Sequence, residues 1–190
     1  MVVIVTYPDV TGFIIAGGKS RRMGFDKRQI RVNGVPLLER MRNLLRDVLG
    51  REPVFVGDNL SSTDISILHD AKVDCGPVGG LVAALENCRT EWALILAVDL
   101  PYLSSIELAL LLGARNENYD VILFSSDDRV EPLAALYNAN NAEFWRGRLE
   151  KKELCLRDGF KNQRCLTVKL QDDSRALENI NEPWQLAGLL

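Results

Sequence analysis

Two adjacent glycines, Gly17 and Gly18, stand among four cations, Lys19, Arg21, Arg22 and Lys27, directly after the apolar run Phe13 to Ala16. Glycine lets the backbone take positive φ or come close to a ligand, and successive N–H groups in such a turn can point at phosphate oxygens. The cations bring opposite charge to the same place, so the chemistry indicated is the binding of a polyphosphate. A plain glycine turn with solvated cations is the alternative. A second chemical position is Asp99, at the end of the apolar run Trp92 to Val98. A carboxylate at the carboxyl end of a central strand offers hard oxygen to Mg²⁺, whose other sites water and phosphate oxygens can fill. Its alternative role is to turn the chain or cap the helix near Ser104.

Two familiar phosphate motifs do not describe the glycine loop. Gly18-Lys19-Ser20 matches the end of a P-loop, but Phe13 stands where its first glycine is required. Gly17, Gly18 and Gly24 also miss the spacing of the dinucleotide fingerprint.

The elements that must position these residues alternate between strand and helix. Apolar runs over Phe13–Ala16, Pro53–Val56, Ile65–Leu68, Trp92–Val98, Tyr119–Phe124, Glu131–Tyr137 and Cys165–Leu170 read as strands. Helices are expected from Pro36 to Gly50, from about Val78 to Cys88, from about Ser104 to Arg115 and from Asn141 to Leu156. The basic residues of the last one, Arg146, Arg148, Lys151 and Lys152, read as a solvated face. The pattern predicts a three-layer α/β fold with a mostly parallel, Rossmann-like sheet, in one domain over residues 1–190.

The segment Ile15-Ala16-Gly17-Gly18-Lys19-Ser20-Arg21-Arg22-Met23-Gly24-Phe25-Asp26-Lys27 resembles the Leu-Ala-Gly-Gly, Arg-Met-Gly, Asp-Lys signature of the molybdenum cofactor guanylyltransferases, with Ile15 in place of leucine. Asp70 followed by Gly76-Pro77-Val78-Gly79-Gly80 resembles the family's nucleoside-side motif, and spacing favours Asp70 over Asp74 as its aspartate. Asp99-Leu100-Pro101-Tyr102 resembles the metal-binding motif, and Glu131 to Tyr137 the strand near the acceptor, although a simple core strand reads equally well there. Leu177 to Trp184 resembles the Asn-x-Asn-Thr-Pro element, with Glu182 in place of threonine.

The resemblance implies a nucleotidyltransferase fold and a Mg²⁺-dependent transfer of GMP from GTP to the terminal phosphate of molybdopterin or its molybdenum-loaded form, releasing pyrophosphate. It implies GTP contacts from Ile15, Ala16, Gly17, Gly18, Lys27, Asp70 and Asp99, catalytic roles for Arg22, Lys27 and Asp99, metal ligation by Asp99, and substrate positioning by Asn179 and Asn181. Transient contact with other proteins of the cofactor pathway is also implied. A cytidylyl- or sugar-phosphate nucleotidyltransferase of the same fold and a non-catalytic GTP-binding module are the competing functions.

Composition narrows the field. A net charge of −3 and pI near 5.3 exclude the basic excess of a general nucleic-acid binder. Apolar runs fall far short of the roughly 20 residues that span a bilayer, and Met1 to Val10 lacks a basic leader, so a cytoplasmic protein without membrane or nucleic-acid partners is expected. Cys75, Cys88, Cys155 and Cys165 form no C-x-x-C pair, and His69 is the only histidine, so a Cys/His zinc site has no basis in spacing.

If Lys27 closes the phosphate loop, Lys27→Ala weakens triphosphate binding by about 1.5–3 kcal/mol, the range of a hydrogen bond to a charged group. Calorimetric titration of the folded variant checks this; unchanged affinity would make Lys27 a solvated cation.

Overall fold

The computed structural model describes residues 6–16, 27–57, 66–72, 74–126, 129–171 and 174–180. Strand β1 (Val10–Ile15) is followed by a single 3₁₀ turn, Lys27–Gln29, and by the short pair β2 (Arg31–Val32) and β3 (Val35–Pro36). Asn33 and Gly34 join that pair with φ of 51° and 78°, the double positive φ that a tight two-residue hairpin turn requires. Helix α1 (Leu37–Leu49) follows, then β4 (Val54–Val56), β5 (Ile67–Leu68), α2 (Gly76–Asn87), β6 (Trp92–Ala97) and α3 (Ser105–Gly113). The chain continues through β7 (Val121–Ser126), β8 (Arg129–Asn138), α4 (Ala142–Glu150), α5 (Leu156–Gly159) and β9 (Cys165–Lys169).

Seven strands form one sheet in the order β5-β4-β1-β6-β8-β7-β9. All neighbours run parallel except β8, which is antiparallel to both β6 and β7. This is the mostly parallel α/β sheet that the alternation predicts.

Side chains alternate across the strands, and each face is covered by helices. Trp92, Leu94 and Leu96 of β6 pack with Leu37, Met41 and Leu45 of α1 and Leu108 and Leu111 of α3. Ala93 and Ile95 face the other way, with Val78, Leu81 and Leu85 of α2 and Trp145 and Leu149 of α4. Every residue of β6 is buried, which explains its unbroken apolar sequence.

Several boundaries differ from expectation. Helix α2 begins at Gly76, where Pro77 occupies the first turn and sacrifices no helical hydrogen bond. The strands expected over Tyr119–Phe124 and Glu131–Tyr137 extend further, with Ser125, Ser126 and Arg129 paired between β7 and β8. The helix expected over Asn141 to Leu156 is two helices, α4 and α5, separated at Lys151–Cys155 where Lys152 has φ of 60°. Arg148 does not lie on a solvated face: it is 9% exposed, and pairs with Glu153 at 2.9 Å while donating to the Cys155 carbonyl at 3.1 Å. Its guanidinium thereby holds the segment that breaks the helix. Among the described residues no helix is long and apolar enough to cross a membrane.

At the amino ends of β7 and β9, the Asp120 carboxylate accepts from the Arg164 backbone N–H at 2.9 Å and from its guanidinium at 2.7 Å. The Arg164 hydrogen bonds outweigh burial and hold the Asp120 pKa at about 2, against an ordinary 3.8. A depressed folded-state pKa adds stability that is present above the unfolded value and lost as pH falls through the folded one. Asp120→Ala therefore lowers the unfolding midpoint at pH 7, and its deficit shrinks as pH falls from about 4 to about 2. Thermal unfolding of both proteins across that range checks it; a deficit independent of pH would remove the charge-based account.

Candidate active site

Parallel pairing brings four strand ends into one row. Ile15 lies opposite Val56 on one side and Ala97 on the other, and Val56 lies opposite Leu68. The ladder runs one step further, with Ala16 N–H donating to the Val56 carbonyl at 2.8 Å and Gly57 N–H to the Leu68 carbonyl at 2.9 Å. Residues Ala16, Gly57, His69 and Val98 thus leave the sheet along the same edge. The connection after β1 leads to β4 on one side, and the sheet continues to β6 on the other, so the edge between β1 and β6 is a topological switch point. In open α/β sheets ligands bind outside the carboxyl ends of the strands at such a point.

Asp70 stands on the β5 side of this edge. The Ala71 N–H donates to the Gly79 carbonyl at 3.2 Å, laying the segment after β5 against the first turns of α2. Gly80 makes that approach possible: a Cβ there would come within 3.0 Å of Ile15 Cδ1 and 3.4 Å of Asp70 Oδ1. The absent side chain lets Ile15, Asp70 and α2 meet at one corner. Asp74 is instead exposed, with φ of 59° in the turn before α2.

Asp99 follows β6 at the switch point. It does not cap α3, because Ser104 does: the Ser104 hydroxyl accepts from Ile106 N–H at 3.2 Å, and Glu107 accepts from Ser104 N–H at 3.0 Å. The turn after Asp99 is fixed from outside by Arg40 of α1, which donates to the Pro101 carbonyl at 2.7 Å, and by burial of Leu100 and Leu103. The Asp99 carbonyl accepts from Ile180 N–H at 3.0 Å, and Ala176 and Ile180 are buried against the same core. Arg175 stacks its guanidinium 3.9 Å from the Tyr102 ring centroid and donates to its hydroxyl. Residues 174–180 therefore lie as a strap along the turn that carries Asp99.

Because β8 runs antiparallel, its start rather than its end reaches this edge, and it brings Glu131 there. Pairing of β7 with β8 jumps from Leu123–Ala135 to Phe124–Glu131, so Pro132, Leu133 and Ala134 form a bulge. Proline has no N–H for the ladder, which places the interruption. Two side chains satisfy the freed groups: Glu131 Oε1 accepts from Leu133 N–H at 3.1 Å, and the buried Tyr137 hydroxyl donates to the Pro132 carbonyl at 2.8 Å. The second Glu131 oxygen accepts from Asn179 Nδ2 at 3.4 Å. Burial, reinforced by the charge of Asp99, pushes the Glu131 carboxyl above the ordinary range against the pull of these two hydrogen bonds and of Arg157. Sequence reading placed Glu131 only as the first residue of a strand resembling the one near the acceptor, and gave its side chain no role. The signal was its place before Pro132, a proline inside an otherwise apolar strand and so a sequence mark of a bulge.

Residues 12–162 match the family described as the MobA-like NTP transferase domain. The chain belongs to that family. A molybdenum cofactor guanylyltransferase of Polynucleobacter asymbioticus is 30% identical to it, with 96% of each chain covered. A second, from Xanthomonas euvesicatoria pv. vesicatoria, is 39% identical over 54% of this chain and 53% of its own. The solved molybdopterin-guanine dinucleotide biosynthesis protein A of Archaeoglobus fulgidus has the same fold, with a TM-score of 0.79 at 20% identity over 94% of this chain and 96% of that one. The resemblance carried by the glycine loop is thus matched along most of the chain, and this MobA-like protein is a nucleotidyltransferase.

Of the site residues expected from sequence, Ile15, Ala16, Asp70 and Asp99 meet along the edge from β5 to β6, and Asn179 reaches it through Glu131. Lys27 opens the 3₁₀ turn that precedes β2. Gly17, Gly18, Arg22 and Asn181 lie outside the described residues.

Asp99 and the partly buried Glu131 bring negative charge to one edge, where the charge of Asp99 weighs against ionisation of Glu131, and a cation would offset it. The donor set is carboxylate oxygen, which suits a hard divalent ion.

Proposed function

We propose that this transferase moves GMP from GTP to the terminal phosphate of a molybdopterin cofactor, with release of pyrophosphate. The observation that carries the reading is Asp99 at the β1–β6 switch point, one strand away from the end of β1 where the glycine loop begins. The names of the relatives supply the base and the acceptor.

Both reacting groups are already phosphates, so positioning and charge neutralisation contribute more than a strong base. Backbone N–H groups of Gly17 and Gly18, with Arg22 and Lys27, would hold the triphosphate. Asp70, at the corner made by Gly80, would hold ribose or base. Asp99 would hold Mg²⁺, which when bound offsets charge on the phosphate oxygens. Asn179 and Asn181 would orient the acceptor. The whole chain would act as one domain in the cytoplasm, receiving its acceptor from other proteins of the pathway.

Base choice tests the reading directly. With molybdopterin as acceptor, GTP is expected to support transfer and to bind at least tenfold more tightly than CTP, about 1.4 kcal/mol. Equal affinity would favour the cytidylyl reading, and tight GTP binding without pyrophosphate release would make the protein a binding module.

The role of Asp99 has its own test. Asp99→Asn keeps size and removes charge, so the fold survives while transfer slows on the order of a hundredfold or more, and the Mg²⁺ dependence of GTP binding flattens. Pyrophosphate release and calorimetry across a Mg²⁺ titration measure both, with thermal unfolding as the control. Native turnover at unchanged Mg²⁺ dependence would move the metal elsewhere, first to Asp70.

A further inference from the structure

The transfer reading leaves Glu131 unused, yet its carboxylate is tied on both sides. One oxygen takes the Leu133 N–H freed by the β8 bulge, and the other takes Asn179 of the strap. The next residue of the strap, Ile180, donates its N–H to the Asp99 carbonyl. Glu131, Asn179, Ile180 and Asp99 therefore form a circuit of contacts in which the strap is held at two adjacent residues, one by the start of β8 and the other by the turn after β6.

The circuit lies on one side of the proposed site. Ile15, Ala16 and Asp70, which belong to the nucleotide in the reading above, lie toward β1, β4 and β5, while β8 flanks β6 on the opposite side. In-line displacement needs attacking and leaving oxygens on opposite sides of phosphorus. With the nucleotide on the β1 side of Asp99, the second phosphate approaches along the β8 side, where the strap crosses.

We propose that Glu131 is a positioning residue of the transfer reaction, its carboxylate fixing Asn179 and Ile180 against the Asp99 turn so that the strap forms the acceptor side of the site. This rests on the nucleotidyl-transfer reading. The rival account is local: Glu131 does no more than satisfy the orphaned Leu133 N–H of the bulge, a task that one oxygen performs. The second bond, to a residue 48 positions away, goes beyond that task.

Glu131→Gln separates the accounts, because glutamine keeps the size and one acceptor oxygen for Leu133 N–H but removes the charged acceptor of Asn179 Nδ2, leaving at most a neutral amide–amide bond in its place. The expected result is a rise of about tenfold in KM for the molybdopterin acceptor with KM for GTP unchanged, a pattern that general destabilisation does not produce. Asn179→Ala should give a similar rise, and the double variant should be no worse than either single one, since both remove the same contact. Independently of activity, the Ile180 amide should exchange hydrogen faster in Glu131→Gln while amides of β6 keep their protection.

Unchanged acceptor KM and unchanged Ile180 exchange in a folded Glu131→Gln would overturn the proposal. So would penalties that multiply in the double variant, or a KM for GTP that rises in step with that of the acceptor. A parent protein that transfers no nucleotide would overturn the guanylyl reading by itself, whereas an active parent with an indifferent Glu131→Gln would remove only the role given to Glu131.

Discussion

Parallel pairing of β1 with both β4 and β6 is the constraint on which the candidate site depends. It aligns Ile15, Val56, Leu68 and Ala97 in one row, so residues that leave the strands must emerge along a common edge. Asp70 and Asp99 are far apart in sequence and are brought to that edge by backbone hydrogen bonding, not by any attraction between them. The burial of every β6 residue anchors the row, because a shift of one position would turn Trp92, Leu94 and Leu96 to the opposite helical layer.

The second half of the edge is built differently. Antiparallel β8 has its well-packed residues, Ala134 to Tyr137, deep in the sheet, while its irregular start reaches the edge of the candidate site. The bulge is held by a buried aromatic group, with Tyr137 meeting Trp145 at 5.7 Å edge-on and Phe160 at 6.4 Å. The Tyr137 hydroxyl reaches back to Pro132 from that cluster, so the apolar layer beneath the sheet sets the backbone geometry beside Glu131. Burial also pushes the Tyr137 hydroxyl well above its ordinary pKa, which keeps it a neutral donor.

Most strands and helices were legible because each buries one face or two, and that requirement prints a period on the sequence. The Asp99 position was legible for the same reason: a long apolar run must end somewhere, and the first charge marks the edge. The packing role of Gly80 could not be read, since nothing in a glycine pair tells which neighbour it admits; Ile15 and Asp70 lie 65 and 10 positions away in sequence. The reversal of β8 was equally hidden, because a buried strand looks the same in either direction. Arg148 misled for a related reason: a cation amid other cations reads as surface unless the fold of the following segment brings Glu153 and the Cys155 carbonyl around it.

Reversal of β8 also separates what the strand does for stability from what it does for specificity. In a parallel strand the residues that meet a ligand come after the packed run, and the chain must then return through a helix. In β8 the residue at the candidate site, Glu131, comes before that run, near the start of a strand that pairs back on β7. The entrance of β8 can change its polar residues without altering the register of Ala134 to Tyr137 or the crossover geometry of any helix. On the nucleotidyl-transfer reading, a fold built this way would keep its nucleotide half while varying the half that receives the second substrate, with the variation confined to the entrance of one strand.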